Sequence, residues 1–591
     1  MKPKEKIAKL RNLMKDHKID AWIVPSADPH QSEYVAEHWK ARDWLSGFTG
    51  SAGIVVVTQD KAGLWTDSRY HTRASKELQG SGIELYKFGL PDVPSYIEWL
   101  KDELDQEGTI GFDGNVLSVT EVEKINRTFA ERQLTLSSQH DLIGQIWQKR
   151  PEIPMTPVFL HDMTFAGESR ISKFQRIRSK LKEQGAQAHL LTMLDDIAWT
   201  FNIRGSDVKY NPVTVSYAVI TENDAHIFVS DVKVPKEVKN ELERDGVIFS
   251  EYEDIIPFLK TFEPGTSIFI DPEKTNYKLR DAIPKDCTII CGDSIPHTLK
   301  AIKNKTELEG IGKAHTRDGV AMVKWMYWLD QHIMKEIHTE ITVAEKLMEF
   351  RSAGDCYQGP SFGTISGYKA NAAIGHYSPN PETTPTLKPE GVLLIDSGAQ
   401  YLDGTTDITR TLALGSPTPD EKQAFTMVLK CHIRLAKTKF PKGTKGHQLD
   451  MITREPLWTQ RWNCRHGIGH GVGYFLNVHE GPQRFREDNS VVIEPGMVTS
   501  NEPGVYFEGK YGFRIENVVI TIPAETTEFG EFFGFRTVSL CPIDLDLVEV
   551  SLLSLEEKTW LNEYHQSVNK MLKPFLNQEE QKWLQHETRE I

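Results

Sequence analysis

The sequence predicts a three-domain chain, with two leading α/β domains of one plan followed by an α+β domain. Three observations predict it. The 591 residues exceed the length at which a single hydrophobic core keeps growing. Two early segments repeat one order of helix, strand, irregular Trp-bearing stretch and strand pair. From about residue 305 onward, helices with capping signatures alternate with strands that read as antiparallel. The expected boundaries are 1–152, 153–303 and 304–591, the last carrying a helical tail.

The first copy opens with the charged, amphipathic stretch MKPKEKIAKLRNLMKDHKID, a helix lacking the apolar core and cleavage site of a signal peptide, and so expected to stay on the mature chain. It continues through DAWIVPSADPHQSEY and Trp44 to the apolar run GIVVVT and then LWTDSRY. The second runs from SRISKFQRIRSKLKEQG through AHLLTMLDDIAWTFNIRG to YAVIT and HIFVSD. Between them QKRPEIPMTPVF, with three prolines, reads as a connector. In the third region Thr306–Glu309, Thr342–Glu345, Thr418–Glu421 and Ser554–Glu557 have capping-box spacing and open helices. The strands there are GVLLID, TRTLAL, MVTSN and FRIENVVITI.

Composition removes several function classes. Net charge is −14 with no long basic run, which argues against nucleic acid and anionic membrane as partners. No segment approaches 18 consecutive apolar residues. Six scattered cysteines without a CxxC pair suit a reducing, cytoplasmic compartment and small buried positions, not a disulfide framework or thiolate zinc site.

The chemistry concentrates in the third region. Asp396 ends the apolar strand GVLLID, and Asp407 follows eleven residues later. A buried strand that delivers a carboxylate must pair or ligate it, although either Asp alone reads equally well as a turn cap. In Arg465–Gly473 the alternating glycines argue against a helix, since each costs about 1 kcal/mol relative to Ala. An extended backbone directs His466, His470 and His479 into one cleft, though structural histidines fit this run taken alone. Glu502 follows Asn501, and strand alternation puts Arg514 and Glu516 on one face, where a plain ion pair is the simpler reading of those two. Together Asp396, Asp407, His470, Glu502 and Glu516 supply four carboxylates and one imidazole, enough for two divalent cations whose charge they nearly neutralise. The oxygen-rich set favours Mn2+, with Co2+ or Zn2+ as alternatives.

These five residues, in this order and local context, resemble the pita-bread metallopeptidases, which include methionine aminopeptidases, prolidases and aminopeptidase P. Ser366–Tyr377, His466–Gly473 and the tail Trp560–His565 extend the resemblance to the long, three-domain cytosolic Xaa-Pro aminopeptidases. The resemblance implies creatinase-like leading domains and a pita-bread catalytic domain. It implies that Asp396 chelates one metal and contacts the substrate amine, that Asp407 and Glu516 bridge both ions, and that His470 and Glu502 complete the ligand set of the other metal. His376, His466 and His479 would hold substrate and stabilise the oxyanion, Glu502 would move the proton, and Arg514 would fix a carboxylate or bind a carbonyl. The implied reaction is attack by a hydroxide bridging the ions on the bond before proline, in peptides with proline second. A homodimer is also implied.

Tyr506 is a candidate wall for the proline ring. Asp67, Arg69 and Tyr70 end a strand and read as a structural loop, with reach toward a neighbouring active site as the other reading. The main alternative function is a prolidase, which would need a positive group for the free proline carboxylate. Creatinase-like hydrolysis and a non-catalytic peptide-binding module are more distant, because neither needs all five ligands.

Overall fold

In the computed structural model, which describes residues 1–591, the chain opens with the helix Pro3–Asp16, whose Ile7, Leu10 and Met14 are buried at helical spacing. Six strands follow: Ala21–Pro25, Ile54–Thr58, Ala62–Thr66, Glu84–Lys87, Glu107–Phe112 and Gln133–Ser137. Numbered along the chain, they lie side by side as 4-3-2-1-5-6. The second copy uses Ala188–Leu191, Tyr217–Thr221, Ala225–Phe228, Val247–Ser250, Ser267–Ile270 and Thr288–Cys291, in the same spatial order. In both, the first strand pairs antiparallel with the second and parallel with the fifth. The likeness legible as a repeated hydrophobic pattern is therefore a repeated topology.

One expectation needs correction. The two Trp-bearing stretches are short helices, Ala41–Ser46 with Trp44 and Leu194–Phe201 with Trp199. Each ends in a left-handed residue, Gly47 or Asn202, the two residue types that tolerate a positive φ at a helix end. The two copies form one compact unit, Met1–His161 with Glu168–Pro296. Inside it they are joined where Asn276 Nδ2 donates to Pro29 O (2.8 Å) and His30 Nδ1 meets Thr192 O (2.9 Å). In the strand-end loop of the first copy, Arg69 binds Asp67 through two hydrogen bonds of 2.7 and 2.8 Å.

The second compact unit comprises Asp162–Gly167 with His297–Ile591. Its long first helix, Lys305–His332, is capped by Asn304 with Glu307, two residues before the expected Thr306–Glu309 box. The next helix, Glu340–Ser352, is likewise capped by Thr339 with Thr342 and not by Thr342 with Glu345. Both shifts have one cause: the periodic apolar positions begin a turn later than the capping residue, so spacing alone leaves the register open. The Thr418 and Ser554 boxes stand where expected.

Two antiparallel sheets carry the functional residues. In the smaller, Val392–Ser397 lies between Ile365–Tyr368 and Ile408–Ala413. In the larger, Gly469–Gly471 lies between the edge strand Glu480–Phe485 and Val498–Asn501, which pairs in turn with Asn517–Thr527. The stretch expected as one strand, FRIENVVITI, is broken into Tyr511–Arg514 and Asn517–Thr527. Val392, Leu393, Leu394 and Ile395 are at most 1% exposed, each such burial contributing about 1.5–3 kcal/mol. Of the six cysteines, all free, only Cys431, Cys464 and Cys541 are buried; Cys291 is exposed. No helix is long and apolar enough to cross a membrane.

Candidate metal centre

Asp396 reaches the centre from the middle strand of the smaller sheet, with Ile365 opposite on one side and Thr409 on the other. A strand buried on both faces has no water to solvate this carboxylate, and Arg514 Nη2 donates to its Oδ2 at 2.5 Å. Its Oδ1 is buried without a hydrogen-bond partner. Asp407, 3% exposed, stands in the turn before Ile408–Ala413. His470 comes from the short strand Gly469–Gly471, where a side chain on Gly469 would strike Ser500 O at 2.0 Å. That close approach is why glycines flank the histidine.

His470 Nδ1 lies 2.9 Å from Gly471 O, so it carries the proton and donates. Nε2 then presents a lone pair to Asp407 Oδ2 and Glu502 Oε1, each 3.4 Å away. Glu516, 1% exposed, accepts from Thr409 Oγ1 at 2.7 Å through Oε2, while its Oε1 is buried with no partner. Ligand atoms of Asp407, His470 and Glu516 all lie within 4.8 Å of one another. Acceptor atoms thus converge on one another. Two orphaned carboxylate oxygens and an imidazole lone pair form a donor set suited to divalent cations and unsuited to bare protein.

The electrostatics agree. Burial pushes the Glu516 carboxyl well above its usual range, reinforced by Asp407, Glu502 and Asp396. Burial and then Glu502 push Asp407 up to about 7. Burial also raises Asp396, against the pull of Arg514. Four carboxylates without cations repel one another into protonation.

A chain of hydrogen bonds leads outward from Asp396. Arg514 Nη1 donates to Tyr506 Oη (2.5 Å), and Tyr506 lies 2.8 Å from His466 Nε2. His466 Nδ1 is 2.8 Å from Gly467 O, to which it donates. Arg514 Nε also donates to Thr409 Oγ1 at 3.2 Å. The guanidinium is 3% exposed and turned onto Asp396, Tyr506 and Thr409, an arrangement for holding a carboxylate and not one for receiving a carbonyl from the cleft. Arg514 ends its strand and Glu516 lies past it, so their shared neighbourhood comes from a break and not from strand alternation.

His479 packs edge-on to His470 with ring centroids 4.3 Å apart. The structure therefore brings together Asp396, Asp407, His470, Glu502, Glu516, Arg514, His466 and His479. His376 is half-buried on the loop after Lys369–Ala373. That turn is seated on the Tyr511–Arg514 strand, where a side chain on Gly512 would strike Ala372 O at 2.1 Å.

Sequence reasoning missed a group behind the carboxylates. Asn501, beside Glu502, pairs across the sheet with Asn517, beside Glu516. His432 ties both: Nδ1 meets Asn501 O at 3.1 Å, and Nε2 accepts from Asn517 Nδ2 at 3.0 Å. Arg410 donates to Glu516 O (2.7 Å), Asn517 Oδ1 (2.8 Å) and Tyr564 Oη (2.9 Å). The mirrored dipeptides Asn501-Glu502 and Glu516-Asn517 were the available signal; His432 and Arg410 left none.

Comparison with known proteins gives the same assignment along the whole chain. Residues 309–522 match the model of metallopeptidase family M24, and 531–591 match its C-terminal region. Residues 6–146 and 149–307 each match a creatinase/prolidase N-terminal domain. A probable Xaa-Pro aminopeptidase P of Laccaria bicolor is 41% identical, covering 99% of this chain and 93% of that one. Aminopeptidase P1 of Arabidopsis thaliana is 37% identical over 99% of both. The crystal structure of the X-prolyl aminopeptidase of Caenorhabditis elegans, described as cytosolic with a di-nuclear active site, superposes with a TM-score of 0.96 at 35% identity, covering all of both chains. With two creatinase-type domains ahead of a pita-bread catalytic domain, and this likeness running from end to end, the chain belongs to the Xaa-Pro aminopeptidase family of the M24 metallopeptidases.

Proposed function

We propose that this chain removes the first residue from peptides whose second residue is proline, using two divalent ions. The observation that carries the reading is the convergence of Asp407, His470 and Glu516 beside the orphaned oxygens of Asp396 and Glu516. In this assignment Asp396, Asp407, His470, Glu502 and Glu516 would hold the two ions, and Asp396 would also contact the substrate amine. The oxygen-rich donors favour Mn2+. When bound, the ions supply Lewis-acid polarisation and a water of lowered pKa.

The remaining work belongs to side chains. Glu502, with 18% of its side chain exposed and next to His470, is sited to take a proton from the attacking water and deliver it to the leaving nitrogen. His479 and His376 donate to the oxygen that gains charge as the carbonyl becomes tetrahedral. His466, oriented by Gly467 and Tyr506, holds substrate beside them. Proline defines the substrate because its nitrogen has no N–H and its ring fixes φ, which suits a dedicated pocket. Arg514 is assigned as a positioning residue for Asp396. A cytoplasmic location, supported by the cytosolic description of the Caenorhabditis elegans relative, and a homodimer complete the proposal.

Metal-stripped protein titrated with Mn2+ is expected to take up two ions per chain and regain cleavage. Glu502→Gln, compared with wild type after confirming equal metal content, should lower kcat on the order of 10²–10⁴-fold. Near-normal turnover with both ions bound would remove Glu502 from the proton path.

A further inference from the structure

We propose that Glu340 is a positioning residue that holds the His376 loop in its working conformation, a reading that rests on the role proposed above for His376. Glu340 is the first residue of the helix Glu340–Ser352 and is completely buried. A carboxylate there is favoured by the helix dipole, but burial requires that its lone pairs be satisfied. They are, by four neutral donors. Oε1 accepts from Tyr368 N (2.8 Å) and Asn371 Nδ2 (2.9 Å). Oε2 accepts from Tyr377 Oη (2.8 Å) and Thr384 Oγ1 (3.1 Å). Asn371 Nδ2 also donates to Tyr377 Oη at 2.9 Å, which closes the ring.

All four donors come from residues 368–384, the segment that carries His376, and they lie on both sides of it. The Tyr368 amide belongs to a strand and Asn371 to the turn Lys369–Ala373, while Tyr377 and Thr384 tether the irregular chain that follows the histidine. Tyr377 is its immediate neighbour. The same segment is pressed from its other side onto Gly512, where Ala372 O leaves no room for a side chain. A strand that carries Arg514 thus seats the loop, and one carboxylate draws it closed. An oxyanion donor loses most of its worth when misplaced by about 1 Å, a displacement that costs on the order of 10² in rate. Fixing His376 is what a four-donor carboxylate can do here that an apolar residue cannot.

The chemistry selects two near-isosteric probes. In Glu340→Gln the amide oxygen must stay with the Tyr368 N–H, an obligate donor. The new NH2 then faces the Tyr377 hydroxyl, which already accepts from Asn371. Tyr377→Phe removes the same bond from the other end and serves if the first variant fails to fold. With Mn2+-loaded enzyme and Arg-Pro-Pro, each is expected to lower kcat about tenfold or more with bound metal at the wild-type level. In a His376→Ala background, neither should lower kcat by more than about a further twofold, because the group they position is gone. The proposal is overturned if the double variants show the full product of the single effects. It is overturned if both single variants keep wild-type kcat while His376→Ala does not, or if turnover falls in step with lost metal. Wild-type kinetics for His376→Ala itself would remove both the role of His376 and the tether that serves it.

Discussion

At the residue scale the centre is built from acceptors that need cations and one arginine that keeps an acceptor aimed. Arg514 forks between Asp396 and Tyr506, and a lysine cannot make that planar pair of contacts. Arg514→Lys is therefore expected to weaken Mn2+ binding about 10–100-fold, read by calorimetric titration of stripped protein. Unchanged affinity would show that Asp396 is held by its strand alone. The ligand candidates were legible because each sits in an improbable setting: an Asp at the end of an apolar strand, a His between glycines, a Glu after Asn501. The partner relations of Arg514 were not. Its link to Tyr506 crosses a hairpin, and its link to Asp396 joins residues 118 apart in sequence.

At the element scale, the break between Arg514 and Asn517 and the cross-strand pair Asn501–Asn517 decide where Glu502 and Glu516 stand. His432, on the helix Pro419–Lys437, binds both asparagines from behind and is entirely buried. His432→Ala would leave a cavity and an unpaired amide, a loss of about 2–5 kcal/mol. Chemical denaturation should show the lowered midpoint, and metal affinity should fall with it; a fall in stability with affinity intact would confine His432 to packing. Periodicity made the existence and type of the main helices readable. Cap register was not readable, as Asn304 and Thr339 show, because several Ser, Thr or Asn residues precede each apolar run. The strand break escaped because FRIENVVITI alternates as one strand would, and only the closing of the centre around Glu516 interrupts it.

At the scale of the whole molecule, two properties follow. The first concerns pH. Burial, and for His432 and His565 also Arg410, holds His189 at about 4 and both His432 and His565 at about 3. An unfolded histidine titrates near 6.5, so between 6.5 and these values the unfolded chain binds more protons. The stability these groups contribute is complete above about 6.5 and is lost as pH falls, by up to about 1.4 kcal/mol per pH unit each. His565 Nε2 accepts from Ile543 N at 3.0 Å, a bond that a glutamine oxygen can replace. His565→Gln should therefore show a smaller drop in Tm between pH 7 and pH 5 than wild type; an equal or larger drop would contradict the assignment. The second property is the tandem architecture. Its repeat was visible in sequence because both copies keep one hydrophobic order, and both sheets do run 4-3-2-1-5-6.

The central claim is metal-dependent removal of a residue that precedes proline. Metal-stripped protein, with and without Mn2+, should be offered Arg-Pro-Pro and Arg-Pro while free arginine is followed. The account predicts release from the tripeptide only when metal is present. Activity confined to the dipeptide would reassign the chain to prolidase chemistry, and silence on both peptides with two ions bound would contradict the proposed substrate outright.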